Sequence, residues 1–202
     1  MAVIEFILSY SFFMDNMSRF SYLSNSYDLL NDIAYTKYLI TEIIICNNSP
    51  DYLFAKVYGK ELYIYYFKKE LTKYREEISN IINGFGSANI EFPKEYKYYT
   101  SNTNITIKTL SNGIEKDEEQ PFFSAINKLT TSLFYISTIN DDNNINMNNT
   151  YSYELMVNLL NGYYIAFEKI IIILVNDFKE KAKTSRIKNI IIFFICLFFS
   201  CF

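Results

Sequence analysis

Apolar residues recur at steps of three and four through most of the chain, the spacing of helices that bury one face. Leu23, Tyr27, Leu30 and Ala34 open the pattern and predict a first helix from before Met17 to about Cys46. Asn47-Asn48-Ser49-Pro50 closes it, because proline disfavours helical dihedrals in the residue before it. A second helix, from about Asp51 to Asn83, carries the clearest seam: Leu53, Val57, Ile64, Phe67, Leu71, Tyr74, Ile78 and Ile81, with Lys60 the one exception. Its alternating steps make a heptad stripe suited to knobs-into-holes packing. Gly84-Phe85-Gly86 is its stop. Phe122, Ile126, Leu129, Leu133 and Ile136 define a third helix over Pro121 to Thr138. Met156, Leu160, Tyr163, Phe167, Ile170 and Leu174 define a fourth, starting near Tyr151. No stop signal lies between Leu155 and the C-terminal run, so this helix is expected to continue into it.

Two stretches break the pattern. Asn104 to Leu110 alternates polar and apolar and is rich in β-branched residues, which predicts a strand. Tyr96 to Thr100 is its expected partner across Ser101-Asn102-Thr103, giving a hairpin insert within 90–113, and Ser111-Asn112-Gly113 is a turn. Asp117-Glu118-Glu119, just ahead of Pro121, would place negative charge at the positive end of the third helix. Asp141 to Asn149 is a low-complexity polar loop with no capacity to build a core.

The thirteen residues from Ile190 to Phe202 carry one polar side chain and no charge. Lys179, Lys181, Lys183, Arg186 and Lys188 precede them, and a basic collar before an apolar run marks a membrane boundary. The residues assigned to the bilayer are Ile190, Ile191, Ile192, Phe193, Phe194, Ile195, Leu197, Phe198, Phe199 and Phe202. A span needs roughly 20 apolar residues, more than this run supplies. Either the spanning helix continues past Phe202 and 188–202 is a part of it, or the run is a short tail anchor. The first is favoured, because a helix ending inside lipid leaves its carbonyls unpaired. A buried helix of a soluble core would show a polar face, and this run shows none. At the other end, Ala2 to Met14 is apolar but for Glu5, Ser9 and Ser11. It lacks the basic start and cleavage site of a secretory signal. It reads as the exit end of a preceding membrane helix (1–14) or as the first turns of a bundle helix.

The fold expected from these elements is mainly α. It is an antiparallel four-helix bundle over 15–187, with a small β-hairpin insert and a C-terminal membrane helix. Up-down-up-down order brings both apolar ends of the chain to one side, and so to one membrane.

Composition narrows the chemistry. Among 202 residues there is no histidine and no tryptophan, and the formal net charge is −3. Without histidine there is no Ser-His-Asp or Cys-His site, and the His-containing zinc sites are excluded. Cys46, Cys196 and Cys201 show no CxxC spacing, and Cys46 reads as a small core hydrophobe. No base, nucleophile or phosphate-binding loop stands out, so neither an enzyme nor a cofactor is expected. The lack of a basic face argues against a nucleic-acid partner. The acidic residues at 117–119 and 141–142 lack calcium-loop spacing and read as solvated.

Nineteen tyrosines crowd together around Tyr63, Tyr65 and Tyr66, around Tyr96, Tyr98 and Tyr99, and at Tyr163 and Tyr164. They either cup a ligand or fill half-buried bundle positions with the hydroxyl in water, and the second is the ordinary use. Lys60 either pairs across the bundle or packs its stem and reaches solvent. Glycosylation sequons at Asn16, Asn47, Asn104 and Asn148 suit a surface outside the cell. The collar points the other way, since lysine and arginine beside a span favour the cytoplasmic side. The balance leans to the outside.

Asp15-Asn16-Met17-Ser18-Arg19-Phe20, Gln120-Pro121-Phe122-Phe123-Ser124-Ala125-Ile126 and Asn158-Leu159-Leu160-Asn161-Gly162, with the basic exit that follows, carry a resemblance. The chain resembles the helical loop domain of the Tmc-type, PAS-containing multipass membrane proteins of ciliates. The resemblance covers most of the chain and implies a receptor-like or signalling role at a plasma membrane or endomembrane. Any PAS domain would lie outside this segment. The expected function is a non-enzymatic sensory or interaction domain that passes helix displacement to the bilayer. The lipid bilayer and a small-molecule or protein ligand would be its partners. The alternative is a tail-anchored cytosolic tethering protein.

Overall fold

A computed structural model describes residues 2–49, 52–87 and 92–200. The chain is mainly helical, with one two-stranded sheet. In order it forms α1 (Ala2–Asn48), α2 (Leu53–Tyr58), α3 (Lys60–Ser87), α4 (Lys94–Asn102), β1 (Asn104–Ser111), β2 (Ile114–Pro121), α5 (Phe122–Thr138), a 3-10 turn (Asp142–Asn144), α6 (Thr150–Asn158), a π turn (Leu159–Tyr163) and α7 (Tyr164–Ser200).

The helices pack on one another and on the sheet. α1 packs on α3, α3 on α5, α5 on α6, and α6 and α7 back on α1. Named contacts give their directions. Tyr35 on α1 meets Tyr74 on α3 with ring centroids 5.1 Å apart. Nearer the connection between those helices, Glu42 accepts a 2.7 Å hydrogen bond from the Tyr52 hydroxyl. Residue numbers rise on one helix as they fall on its neighbour, so α1 and α3 are antiparallel. Arg75 on α3 stacks over Phe134 on α5 at 5.2 Å, while Lys68 donates to the Ile139 carbonyl. Tyr135 on α5 stacks on Tyr151 of α6 at 4.2 Å, and Lys128 reaches Glu154 at 3.0 Å. Thr41 on α1 lies 3.5 Å from the Met156 sulfur.

Between these helices lies an aliphatic core. The whole α5 stripe expected from sequence, Phe122, Ile126, Leu129, Leu133 and Ile136, is buried. Ile64, Leu71 and Ile78 are buried on α3 with Phe67 and Tyr74 packed beside them, while Leu29, Ile33, Leu39, Ile40 and Ile43 face them from α1. The expected second helix is interrupted. Gly59 adopts φ +83°, a left-handed conformation that favours glycine, and the break separates α2 from α3. Val57 is accordingly exposed, and Lys60 begins α3 instead of interrupting a continuous seam. The Gly84-Phe85-Gly86 stop falls inside α3, which runs to Ser87.

The hairpin is Asn104–Pro121, not a pairing of 96–100 with 104–110. Tyr96 to Thr100 lies in α4, whose Tyr96 and Thr100 are buried. Helix spacing explains this: Phe92 and Tyr96, four apart, stack at 4.5 Å, and Tyr99 meets Phe122 at 6.1 Å. The turn is Asn112-Gly113 with φ +53° and +76°. This Asn-Gly pair is the residue type that a two-residue hairpin loop of twisted strands demands. Asp117 to Glu119 therefore belong to β2, paired with Lys108, Ile107 and Thr106, and do not front a helix. The 141–149 loop is also more than a polar tether. Ile145 within it is fully buried, and the Asn47 amide donates to the Asp142 and Ile145 carbonyls.

Candidate membrane-anchoring site

α6, the π turn and α7 form one unbroken rod from Thr150 to Ser200, roughly 75 Å long at 1.5 Å per residue. It is the one helix among the described residues long and apolar enough to cross a membrane. Its inner half is set into the core. Leu155, Leu159, Tyr163, Ala166, Phe167 and Ile170 are buried, while Leu160, expected on the stripe, is 42% exposed. The π turn causes this difference. A wide turn holds one residue more than α spacing allows, so the buried face reads 155, 159, 163, 166 where a strict α repeat reads 156, 160, 163.

The hairpin holds that extra residue in place. With a two-residue loop, Lys108 falls at a non-hydrogen-bonded pair, so its N–H and C=O point away from β2. The Asn158 side chain fills that edge: its Oδ1 accepts from the Lys108 N–H at 2.7 Å and its Nδ2 donates to the Lys108 carbonyl at 2.7 Å. One turn on, a Cβ at Gly162 would lie 2.6 Å from the Thr106 carbonyl, so only glycine lets the rod approach β1 this closely. Thr150 donates to the Leu110 carbonyl at 3.2 Å. The exposed edge of β1 is thus capped by a helix. Lys128 completes the clamp, joining Glu118 on β2 at 3.3 Å to buried Glu154 at 3.0 Å. Burial raises the Glu154 carboxyl above the usual range and Lys128 opposes that rise. The sequence signal for this arrangement is Asn158 and Gly162, four apart on the helical stripe.

Past the core the rod becomes bare. Every described side chain from Arg186 to Phe198 is exposed except Ile192. Ile190, Ile191, Phe193, Phe194, Ile195, Leu197 and Phe198 each expose 41–65% of their surface. Phe199 lies on α7, and Phe202 lies outside the described residues. In water, surface of this kind costs on the order of 1 kcal/mol per half-exposed side chain. Lys179, Lys183, Arg186 and Lys188 are exposed above it, and Lys181 pairs with Asp177 at 2.8 Å. The collar residues and the run therefore sit on one solvent-facing helix, as consecutive bands. The stretch long and apolar enough to span a membrane lies upstream of the bare run. The eighteen residues ending at Ile195 hold Lys179, Glu180, Lys181, Lys183, Arg186 and Lys188, too many charges for a span, and 44% of the qualifying stretch is buried.

α1 carries a second apolar stretch at the far end from its Thr41–Met156 contact. Phe6, Tyr10, Phe13 and Met17, spaced four, three and four, are exposed along one face of α1.

The remaining candidates resolve into structure. Tyr65, Tyr66 and Tyr98 face solvent and Tyr96 and Tyr163 are buried, so these tyrosines form no common cup. Tyr63 donates to Glu42 at 3.3 Å beside Tyr52. That carboxylate bond, with burial, pushes Tyr52 up to about 12, and burial pushes Tyr63 up as well, so both phenols serve as donors. Burial also raises the Cys46 thiol, which leaves it an inert core group. The Asn47 sequon is occupied by its hydrogen bonds, whereas Asn104 and Asn148 are exposed. No group of three His, Cys, Asp or Glu side chains converges as a metal site among the described residues. Compared with known proteins, the chain matches no protein family, no curated protein and no solved structure.

Proposed function

We propose that this chain is a non-enzymatic sensory or interaction domain of a multipass membrane protein, built as an antiparallel four-helix bundle. The reading follows the resemblance to the ciliate Tmc-type, PAS-associated multipass proteins. One observation carries it: a single rod is clamped to the hairpin at Asn158 and Gly162 and ends, without a break, in a bare apolar run beneath a basic collar. A ligand or partner that displaces the hairpin or a neighbouring helix moves the rod, and the rod delivers that displacement to the bilayer. An apolar stretch on each of the two long terminal helices, α1 and α7, supports a domain looped between membrane helices. The test is fractionation of cells expressing the intact chain. It should stay in the membrane pellet through alkaline carbonate washing and leave with detergent; recovery in the first supernatant would sink the reading.

A second reading, a tail-anchored cytosolic tether, is favoured by the collar and by the engaged Asn47 amide, which leaves two of the loop and strand sequons free. Glycosylation separates the two readings. A glycosidase-sensitive mobility shift, lost in Asn104→Gln and Asn148→Gln, places the bundle outside the cell. Membrane retention with no shift favours the tether.

A further inference from the structure

Arg186 stands where the collar meets the run. At 100° per residue, Lys179, Lys183 and Arg186 fall within about 60° of one another, and the same line continues through Ile190, Phe193, Phe194 and Leu197. One strip of α7 is thus cationic for two turns and then apolar. Lys181 is engaged by Asp177, whereas Lys179, Lys183 and Arg186 meet no carboxylate among the described residues. Beside this strip a groove of about 450 Å³ runs along α7, lined by Ala182, Ser185, Arg186, Asn189, Ile190 and Phe193. Its two ends differ in chemistry. Ser185, Arg186 and Asn189 border one end, with few of their polar atoms turned into the groove, and Ile190 and Phe193 line the other, so the wall itself is mainly apolar. A free anion has no use for the second end, and an apolar peptide has none for the first. The match is an amphiphile with a negative head directly above a hydrocarbon chain.

We infer that this groove seats an anionic phospholipid, its phosphate on Arg186 and the start of its acyl chain along Ile190 and Phe193. Lys179 and Lys183 supply the positive potential that draws the headgroup in, and Ser185 and Asn189 donate to its oxygens. Arginine suits the first role because its planar fork meets two phosphate oxygens at once. The inference deepens the proposed membrane function and rests on it, since the groove lies at headgroup height only if the run beyond it is in lipid.

The chain has no tryptophan, so Phe193→Trp in the intact protein places a single indole in the groove. The variant is reconstituted in phosphatidylcholine bilayers doped with brominated phosphatidylserine or, separately, with the same share of brominated phosphatidylcholine. Quenching should show a roughly five-fold preference for phosphatidylserine, the size of one basic residue held near an anionic surface. Arg186→Gln should bring the two lipids close to parity, and Lys169→Gln, exposed on α7 about 25 Å further from the run, should leave the preference intact. Equal quenching by both lipids in the parent would overturn the inference and leave the membrane reading standing. No quenching by either would overturn the membrane reading itself. A preference that survives Arg186→Gln but vanishes in high salt marks diffuse attraction without a seat, and it too would overturn the inference.

Discussion

The two halves of the α6–α7 rod are both rich in apolar residues and are used in opposite ways. Between Leu155 and Ile173 the apolar residues form a stripe, and the other faces carry the polar groups that fix position: Asn158 on the β1 edge and Glu154 on Lys128. Between Ile190 and Phe198 the apolar residues surround the helix and have no polar groups among them. A stripe says that protein covers one side, and a full girdle says that the surroundings are uniform. Length and apolarity over a full span do not single out the outer run, since the stretch long and apolar enough to cross a membrane is the one that is partly buried. The discriminating property is angular.

The comparison breaks most easily at paired phenylalanines. Phe167 is buried and Phe194 is 65% exposed. Phe167→Ala should cost about 3–5 kcal/mol in chemical unfolding of the detergent-solubilised protein, because a cavity opens in the core. Phe194→Ala should shift that unfolding by less than about 0.5 kcal/mol and instead weaken retention on lipid vesicles. Equal destabilisation by both would show that the outer half is also covered by protein. Next in size is Lys128→Met, which strands the buried Glu154 carboxylate and should cost about 3 kcal/mol at neutral pH. Much of that loss should return on acidification, as the carboxyl takes up a proton.

Asn158→Ala should cost about 2 kcal/mol, from its two hydrogen bonds to Lys108 and the backbone groups left unpaired. Hydrogen exchange at Lys108 is the direct readout: its amide should lose protection while amides in α5 keep theirs. The smallest effect lies on α1, at the level of the inner half. Asp32 is raised to about 6 by burial, by the neighbouring Glu77 and Asp28, and by a hydrogen bond with Glu77, with Lys73 opposing. Its ordinary value is 3.8, so the folded state holds this proton more tightly than the unfolded chain does. Stability is therefore greatest below about pH 4 as far as this group is concerned, and it falls as pH rises towards about 6. Partial exposure limits the change to about 1 kcal/mol. Asp32→Asn should flatten that part of the stability–pH curve, and an unchanged slope would remove the proton from the α1–α3 contact.

Legibility followed periodicity. The α5 stripe was fully readable because nothing interrupts its 3.6-residue repeat. The unbroken run from α6 to the tail was readable from the lack of any stop signal. The break at Gly59 was missed because a lone glycine in a helical pattern is usually tolerated, and only the positive φ reveals it. Asn112-Gly113 was recognised as a turn, yet the strand was paired with the aromatic segment before it, since β2 is almost wholly charged and carries no alternating pattern. β2 is held by backbone pairing with β1 and is exposed almost throughout, so it needs no apolar face. Leu160 was misplaced because a π turn changes the count by one residue, and no residue type announces that. At the candidate site, the collar and the bare run could be read directly. The groove beside Arg186 could not, because it depends on which side of α7 is left open.

The five-residue turn at Leu159–Tyr163 behaves like a ratchet tooth held by its catch. Its surplus residue persists because the strand behind it leaves room for glycine and hydrogen-bonds to asparagine. Were that strand pulled aside, rewinding to ordinary pitch would swing everything downstream through about 100°. Lys179 and Arg186 would then face a different neighbour, and the rod would grow by about the 1.5 Å rise of the one residue released.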